Sequence, residues 1–180
     1  MISDEEAMEM LEQVGEENLR KHMMAVGTIM EKMAEKFSED KEIWKMTGLL
    51  HDIDYKKSDM NEHGLLSAKM LEGKLPEEAL HAVRAHNERT GVKAETLIDK
   101  ALIAADAASG LVVATALVMP GKKLSEVKTK SLIHKFKDKS FAKNIDRGRI
   151  LVCDKIGMDT REFLSLALEA MNGISDELGL

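Results

Sequence analysis

Six side chains between positions 22 and 106 carry the chemistry of metal ligands: His22, His51, Asp52, His63, His86 and Asp106. His22 falls on an apolar helical face beside Leu19 and Val26, and His51 with Asp52 closes the apolar run GLLHD. Asp106 is set among small apolar residues in ALIAADAASG. Taken singly, such a histidine is usually a hydrogen-bonded core residue, and such an aspartate caps a loop or pairs with a lysine. Two carboxylates that both read as buried change the balance, because burying a charge without a partner is expensive. A divalent cation shared with imidazoles removes that cost, and neutral imidazole with carboxylate suits Mn, Fe, Co, Ni or Zn. The adjacency of His51 and Asp52 is expected at a helix end, where neighbouring side chains can turn toward one centre.

The elements that must position these residues read as helices throughout. Apolar spacing of three and four recurs along the chain, and only two prolines and six aromatic residues occur. A first helix starts at Ser3, with Glu6 completing a capping box. Leu19, His22, Val26, Ile29, Met33 and Phe37 trace a second, and Ile43, Trp44, Thr47, Leu50 and His51 a third ending near Asp52. Asp54 and Tyr55 lead into a polar turn. A fourth helix is expected over residues 62–72, and a fifth opens at Pro76 and carries His81 and His86. A sixth runs from about residue 95 to 119, weaker helices cover the segment after Pro120, and a last one spans Asp159 to Gly173. No strand is expected, so the fold class is all-α. His81 lies five residues before His86, on a different face, and is left out of the ligand set.

The ordered set His22, His51–Asp52 and Asp106, in the contexts GLLHDIDY and AADAASGL, resembles the H…HD…D signature of the HD-domain metallophosphohydrolases. The resemblance covers roughly residues 19–117. It implies an HD-type helical bundle in which these four residues bind a metal, followed by additional C-terminal helices over 121–180, the whole chain forming a single domain. His63 in HGLLSAKML and His86 in HAVRAHNERTG resemble the two extra histidine motifs of members with a binuclear centre. In those members the residue matching Asp52 bridges two metals, and those matching His63 and His86 hold the second. The alternative is one metal, with both histidines lining the pocket. The implied cofactor is therefore one or two divalent metals per chain (Mn, Fe, Co, Ni or Zn, with Mg admissible).

The activity that the resemblance implies is hydrolysis of a phosphate ester, on a phosphorylated small molecule or a nucleotide, with Asp52 or Asp106 orienting the attacking water. Two other outcomes remain open: oxidative cleavage at a di-iron centre, in resemblance to inositol oxygenase, and a metal-stabilised module that binds a ligand without turnover. The chain departs from the family at one point. Many members carry a lysine three residues after the aspartate, and Tyr55 stands there. Lys56, Arg84 and Arg89 are the candidates for phosphate contact in its place.

Composition limits the remaining classes. The chain has 180 residues and a single cysteine, Cys153, so neither an internal disulfide nor a cysteine zinc cage can form. The start, MISDEEAMEML, lacks the basic and apolar parts of a signal peptide, which predicts a cytoplasmic protein. The apolar stretch 101–119 is long enough to raise a membrane span, but Asp106 near its middle would be costly there. A buried core helix and no membrane association are expected. Net charge is −6, yet residues 121–150 hold ten Lys and Arg against Glu126, Asp138 and Asp146, a local +7. That segment reads either as a solvated helical hairpin or as an attractor of phosphate. With only Phe136 and Phe141 to stack on bases, nucleic acid is not expected as a partner; a homodimer is compatible with the sequence.

Overall fold

Local capping starts the helices where backbone groups would otherwise go unpaired. The Ser3 hydroxyl accepts from the Glu6 backbone N–H at 3.1 Å and opens α1 (Asp4–Glu12). Helix α2 (Glu17–Phe37) stops at Ser38, whose φ of 60° is the left-handed cap conformation, with its N–H turned back to Ala34 and Glu35. Two residues later the Asp40 carboxylate accepts from the N–H groups of Glu42 and Ile43 and starts α3 (Lys41–Leu50). So short a connection makes α2 and α3 an antiparallel hairpin.

The chain described, residues 1–180, is a computed structural model with ten helices and no strand. After α3 a turn-rich stretch leads to α4 (Leu65–Met70), then α5 (Glu77–Ala85) and the long α6 (Leu97–Leu117). Thr96 and Asp99 form a reciprocal capping box at the start of α6. The fourth helix is shorter than the expected 62–72. The Asp59 carboxylate turns the backbone at Asn61 and Glu62, and Gly64 sits at φ +89°, so no helix can begin before Leu65.

Helix α6 is apolar on nearly all sides, the pattern of a helix surrounded by others. It is long and apolar enough to cross a membrane by length and composition, but here α2, α5 and α9 pack around it. Its buried residues join those of α2 and α9 (Thr160–Asn172) in one large apolar core. From the segment after Pro120, α7 (Thr129–Lys137) adds Leu132 to that core and α8 (Arg147–Ile150) adds Ile150. The short α10 (Ser175–Leu178) touches α2. A second, smaller core joins α1 to α2, α3 and α5 through Leu11, Met23, Met46, Leu50 and Val83.

The α2–α3 pair is the closest helix contact, and two glycines permit it. A Cβ at Gly48 would stand 2.9 Å from the Cα and N of Gly27 and from Cγ of Met30. That approach draws the helix carrying His22 against the one ending at His51. Gly48→Ala should therefore destabilise the protein by about 1–3 kcal/mol through overpacking, read from urea unfolding monitored by circular dichroism. An unchanged midpoint would contradict the close contact.

Candidate metal centre

Helix ends build much of the site. His51 and His86 are the C-terminal caps of α3 and α5. Each ring Nδ1 lies on the carbonyl oxygen three residues back, His51 on Gly48 at 2.8 Å and His86 on Val83 at 2.5 Å. Those carbonyls belong to last turns and have no partner further along the helix. A carbonyl can only accept, so both Nδ1 atoms carry the proton.

The other two rings are held in the same sense. His63 Nδ1 donates to the Asp54 carboxylate at 2.8 Å. The Ser109 hydroxyl donates to the Asp106 carbonyl at 2.8 Å, and so accepts from His22 Nδ1 at 3.0 Å. All four imidazoles thus spend Nδ1 outward and turn Nε2 inward, as second-layer hydrogen bonds commonly do around a metal.

The inward atoms meet at Asp52. Its Oδ1 has Nε2 of His63, His51 and His86 at 3.1, 3.2 and 3.3 Å. Its Oδ2 lies 3.8 Å from His22 Nε2, which is 3.2 Å from Asp106 Oδ1. The Nε2 atoms of His63 and His86 are themselves 3.3 Å apart. Two sets of ligand atoms could each hold a metal ion, His22–His51–Asp52 and Asp52–His63–His86, with Asp52 common to both. Asp106 joins the first set through His22.

Electrostatics tests whether a cation fits. Burial above all pushes His51 down to about 4, so its ring is neutral at pH 7. Burial works against the Asp52 carboxylate too, but the surrounding imidazoles hold its pKa well below the usual value. A neutral His51 Nε2 then points a lone pair at a carboxylate oxygen and has no hydrogen-bond partner; in metal-free protein the only donor within reach of that oxygen is a protonated His63 at 3.1 Å. Two buried acceptors facing each other are destabilising unless a positive charge lies between them. At His63 burial disfavours the charged ring, yet the flanking carboxylates of Asp52 and Asp54 outweigh it and raise the pKa to about 10. His22 is raised as well: burial opposes the charge, and Asp106 prevails. The donor set fits a divalent cation.

The structure brings all six sequence candidates into this cluster, at the ends of α3 and α5, on α2 and α6, and in the turn before α4. His81 stands apart, its Nδ1 3.0 Å from Asp99. The three cations expected to contact phosphate make no hydrogen bond or ion pair to the cluster. Lys56 pairs with Glu16 and Arg84 with Glu77, while Arg89 is exposed with no partner for its guanidinium. Tyr55 packs its ring edge-on to His63, 5.5 Å between centroids.

Three further residues at the site are not among the sequence candidates. Asp54, expected in a polar turn, is fully buried. Its carboxylate accepts from His63 Nδ1, from Ser67 Oγ at 2.7 Å and from Gly64 N at 3.0 Å. Asn87 pins the same turn by donating to the carbonyls of Met60 and His63. Arg149, from the basic segment, donates to Asp106 Oδ2 at 2.6 Å and to the His86 carbonyl at 3.0 Å. The sequence holds one signal for Asp54: it stands two positions after Asp52, inside the same motif.

A family model, HD domain, matches residues 19–111, just over half of the chain. No curated protein and no solved structure gave a match.

Asp54→Ala would leave a buried imidazolium and two buried donors without their acceptor. In metal-free protein this is expected to cost about 3–5 kcal/mol near neutral pH, measured by urea unfolding after chelation. His63 has its folded pKa raised, so the stability it draws from Asp54 is complete below about 6.5 and fades as pH climbs toward 10. The penalty should shrink over that range; a pH-independent loss would contradict the pairing.

Proposed function

From membership of the HD-domain family, to which the chain belongs, we propose that it is a metal-dependent phosphohydrolase acting on a phosphate ester through a binuclear centre. The family consists mostly of metal-dependent hydrolases. The observation that carries the reading is the pair of ligand sets sharing Asp52, with four Nε2 atoms turned inward and two buried acceptors facing each other. His22, His51, Asp52 and Asp106 would hold one ion, and Asp52, His63 and His86 the other. Four imidazoles against two carboxylates favour a transition metal over Mg.

Such ions, when bound, lower the pKa of water and polarise phosphoryl oxygens. The chain contributes the frame. Asp52 is almost wholly enclosed and keeps its charge for the ions. Asp106 is partly exposed at the rim, and although burial acts against its charge, His22 holds its pKa below the usual carboxylate range. It is therefore an acceptor at neutral pH, suited to orienting a water by taking its hydrogen bond rather than to protonating a leaving group. Asp54, Ser109 and the carbonyls of Gly48 and Val83 keep the four rings from rotating. The substrate is a phosphorylated small molecule, with a nucleotide among the candidates.

A nitrogen-rich, carboxylate-bridged set also suits iron, which gives an oxygenase as second reading. Oxygen uptake by iron-loaded protein distinguishes it from phosphate release.

Metal-reconstituted protein should release phosphate from p-nitrophenyl phosphate or its diester, and Asp52→Ala should lose that activity by at least about 10³-fold. A variant at wild-type rate would contradict the assignment. Metal binding carries its own pH signature. His63 is protonated at pH 7 without metal and must be neutral to ligate, so binding should expel about one proton per chain from it. Affinity should rise with pH toward 10. Calorimetry in two buffers of different ionisation enthalpy reads the release, and none detected would remove His63 from the ligands.

A further inference from the structure

A phosphate ester at this cluster needs a cation that grips its peripheral oxygens, and the positions nearest in sequence do not supply one. Tyr55 occupies the third place after Asp52, Lys56 and Arg84 pair with surface glutamates rather than with the cluster, and Arg89 makes no contact to it. Lys21, one residue before His22, pairs with Glu17 at 2.8 Å. The single Lys or Arg side chain that hydrogen-bonds to the cluster itself is Arg149. It comes from α8, beyond the part of the chain that matches the HD domain.

Arg149 spans two ends of the site. One terminal nitrogen donates to Oδ2 of Asp106, on the His22 side, and the other to the carbonyl of His86, on the His63 side. A guanidinium has five N–H groups, and these two contacts leave three unspent. The side chain remains 27% exposed, and no other protein acceptor takes those donors. A planar fork with free N–H groups is suited to phosphate oxygens in a way an ammonium is not.

Its backbone is held in place. The neighbouring Arg147 turns away from the site and donates to the carbonyls of Ala142 at 2.6 Å, Ile145 at 2.8 Å and Phe141. That fastens the loop ahead of α8, while buried Ile150 anchors the helix in the main core. Two arginines on one short helix thus do different work, one closing a loop and one facing the cluster. A donor held before the ligand arrives loses little on binding.

We propose that Arg149 binds and orients the phosphoryl oxygens of the substrate at the rim of the cluster, in place of the lysine that Tyr55 replaces. The inference rests on the hydrolase reading. It also gives the basic segment a function at the site: that segment delivers one cation, while Arg147 closes a loop.

The test measures inorganic phosphate binding to manganese-loaded protein by calorimetry, with metal content determined on the same samples. Arg149→Gln, neutral and without the terminal fork, should weaken phosphate binding by at least about tenfold at unchanged metal content. Arg149→Lys, which keeps the charge without the planar fork, should recover part of the loss, and unchanged metal content in both variants separates phosphate contact from a clamp on Asp106. Melting curves of both variants identify any loss of fold, and the lysine variant decides if the glutamine one is unstable. Unchanged phosphate affinity in Arg149→Gln would overturn the inference and leave the hydrolase reading intact. Loss of metal with unchanged affinity at the centres still loaded would make Arg149 only a clamp on Asp106, and would overturn it too. Wild-type protein that holds metal but binds no phosphate would overturn both readings together.

Discussion

The Asp52 carboxylate is the constraint on which the rest of the structure turns. It is 7% exposed, and one of its oxygens faces three imidazole nitrogens, of which only His63 can offer it a proton. Removing a carboxylate from water costs several kcal/mol even after relaxation, so a fold that encloses this one requires positive charge beside it. Protonated His63 provides part of that charge in metal-free protein, being placed between Asp52 and Asp54. His51 cannot contribute, because its burial keeps it neutral. A divalent cation would meet the requirement, which is why the same geometry that is uncomfortable as a set of hydrogen bonds is suited to ligation.

The helices are arranged to serve that centre. The glycine contact between α2 and α3 draws His22 toward His51. Gly64 does the same for the turn before α4: a Cβ there would stand 2.8 Å from the Val83 carbonyl and 3.0 Å from the His86 ring. With φ at +89° and so little room, only glycine lets His63 lie against His86. Ending α3 and α5 at a histidine uses carbonyls that the helix leaves open, so one hydrogen bond both caps the helix and sets the tautomer. Packing, capping and ligand orientation are here the same contacts.

Much of this is legible in the sequence, for a physical reason. His22, His51, Asp52 and Asp106 each set a titratable group on an otherwise apolar helical face, a conflict visible within a few residues. The helices themselves follow from apolar spacing and caps such as Ser3 and Asp159, whose hydrogen bonds are local. The features that escape depend on distant partners. Asp54 reads as part of a solvated turn until Ser67 and Gly64 fold back on it. Arg149 meets Asp106 across 43 positions, from a segment whose lysines are ordinary surface residues. Lys56 and Arg84 lie near the motifs in sequence, but surface glutamates engage them, and such exposed pairs are weak. The fourth helix is shorter than its apolar spacing suggests because the conformation of Gly64 answers to α5, which no local pattern reveals.

The central claim, that the cluster is a binuclear metal centre bridged by Asp52, is tested most directly by elemental mass spectrometry. The protein would be purified anaerobically, without a histidine tag, beside a variant carrying both His63→Ala and His86→Ala. A bridged pair of ions predicts about two transition-metal ions per wild-type chain and about one in the double variant. No metal in the wild type, even after metal is supplied, would contradict it.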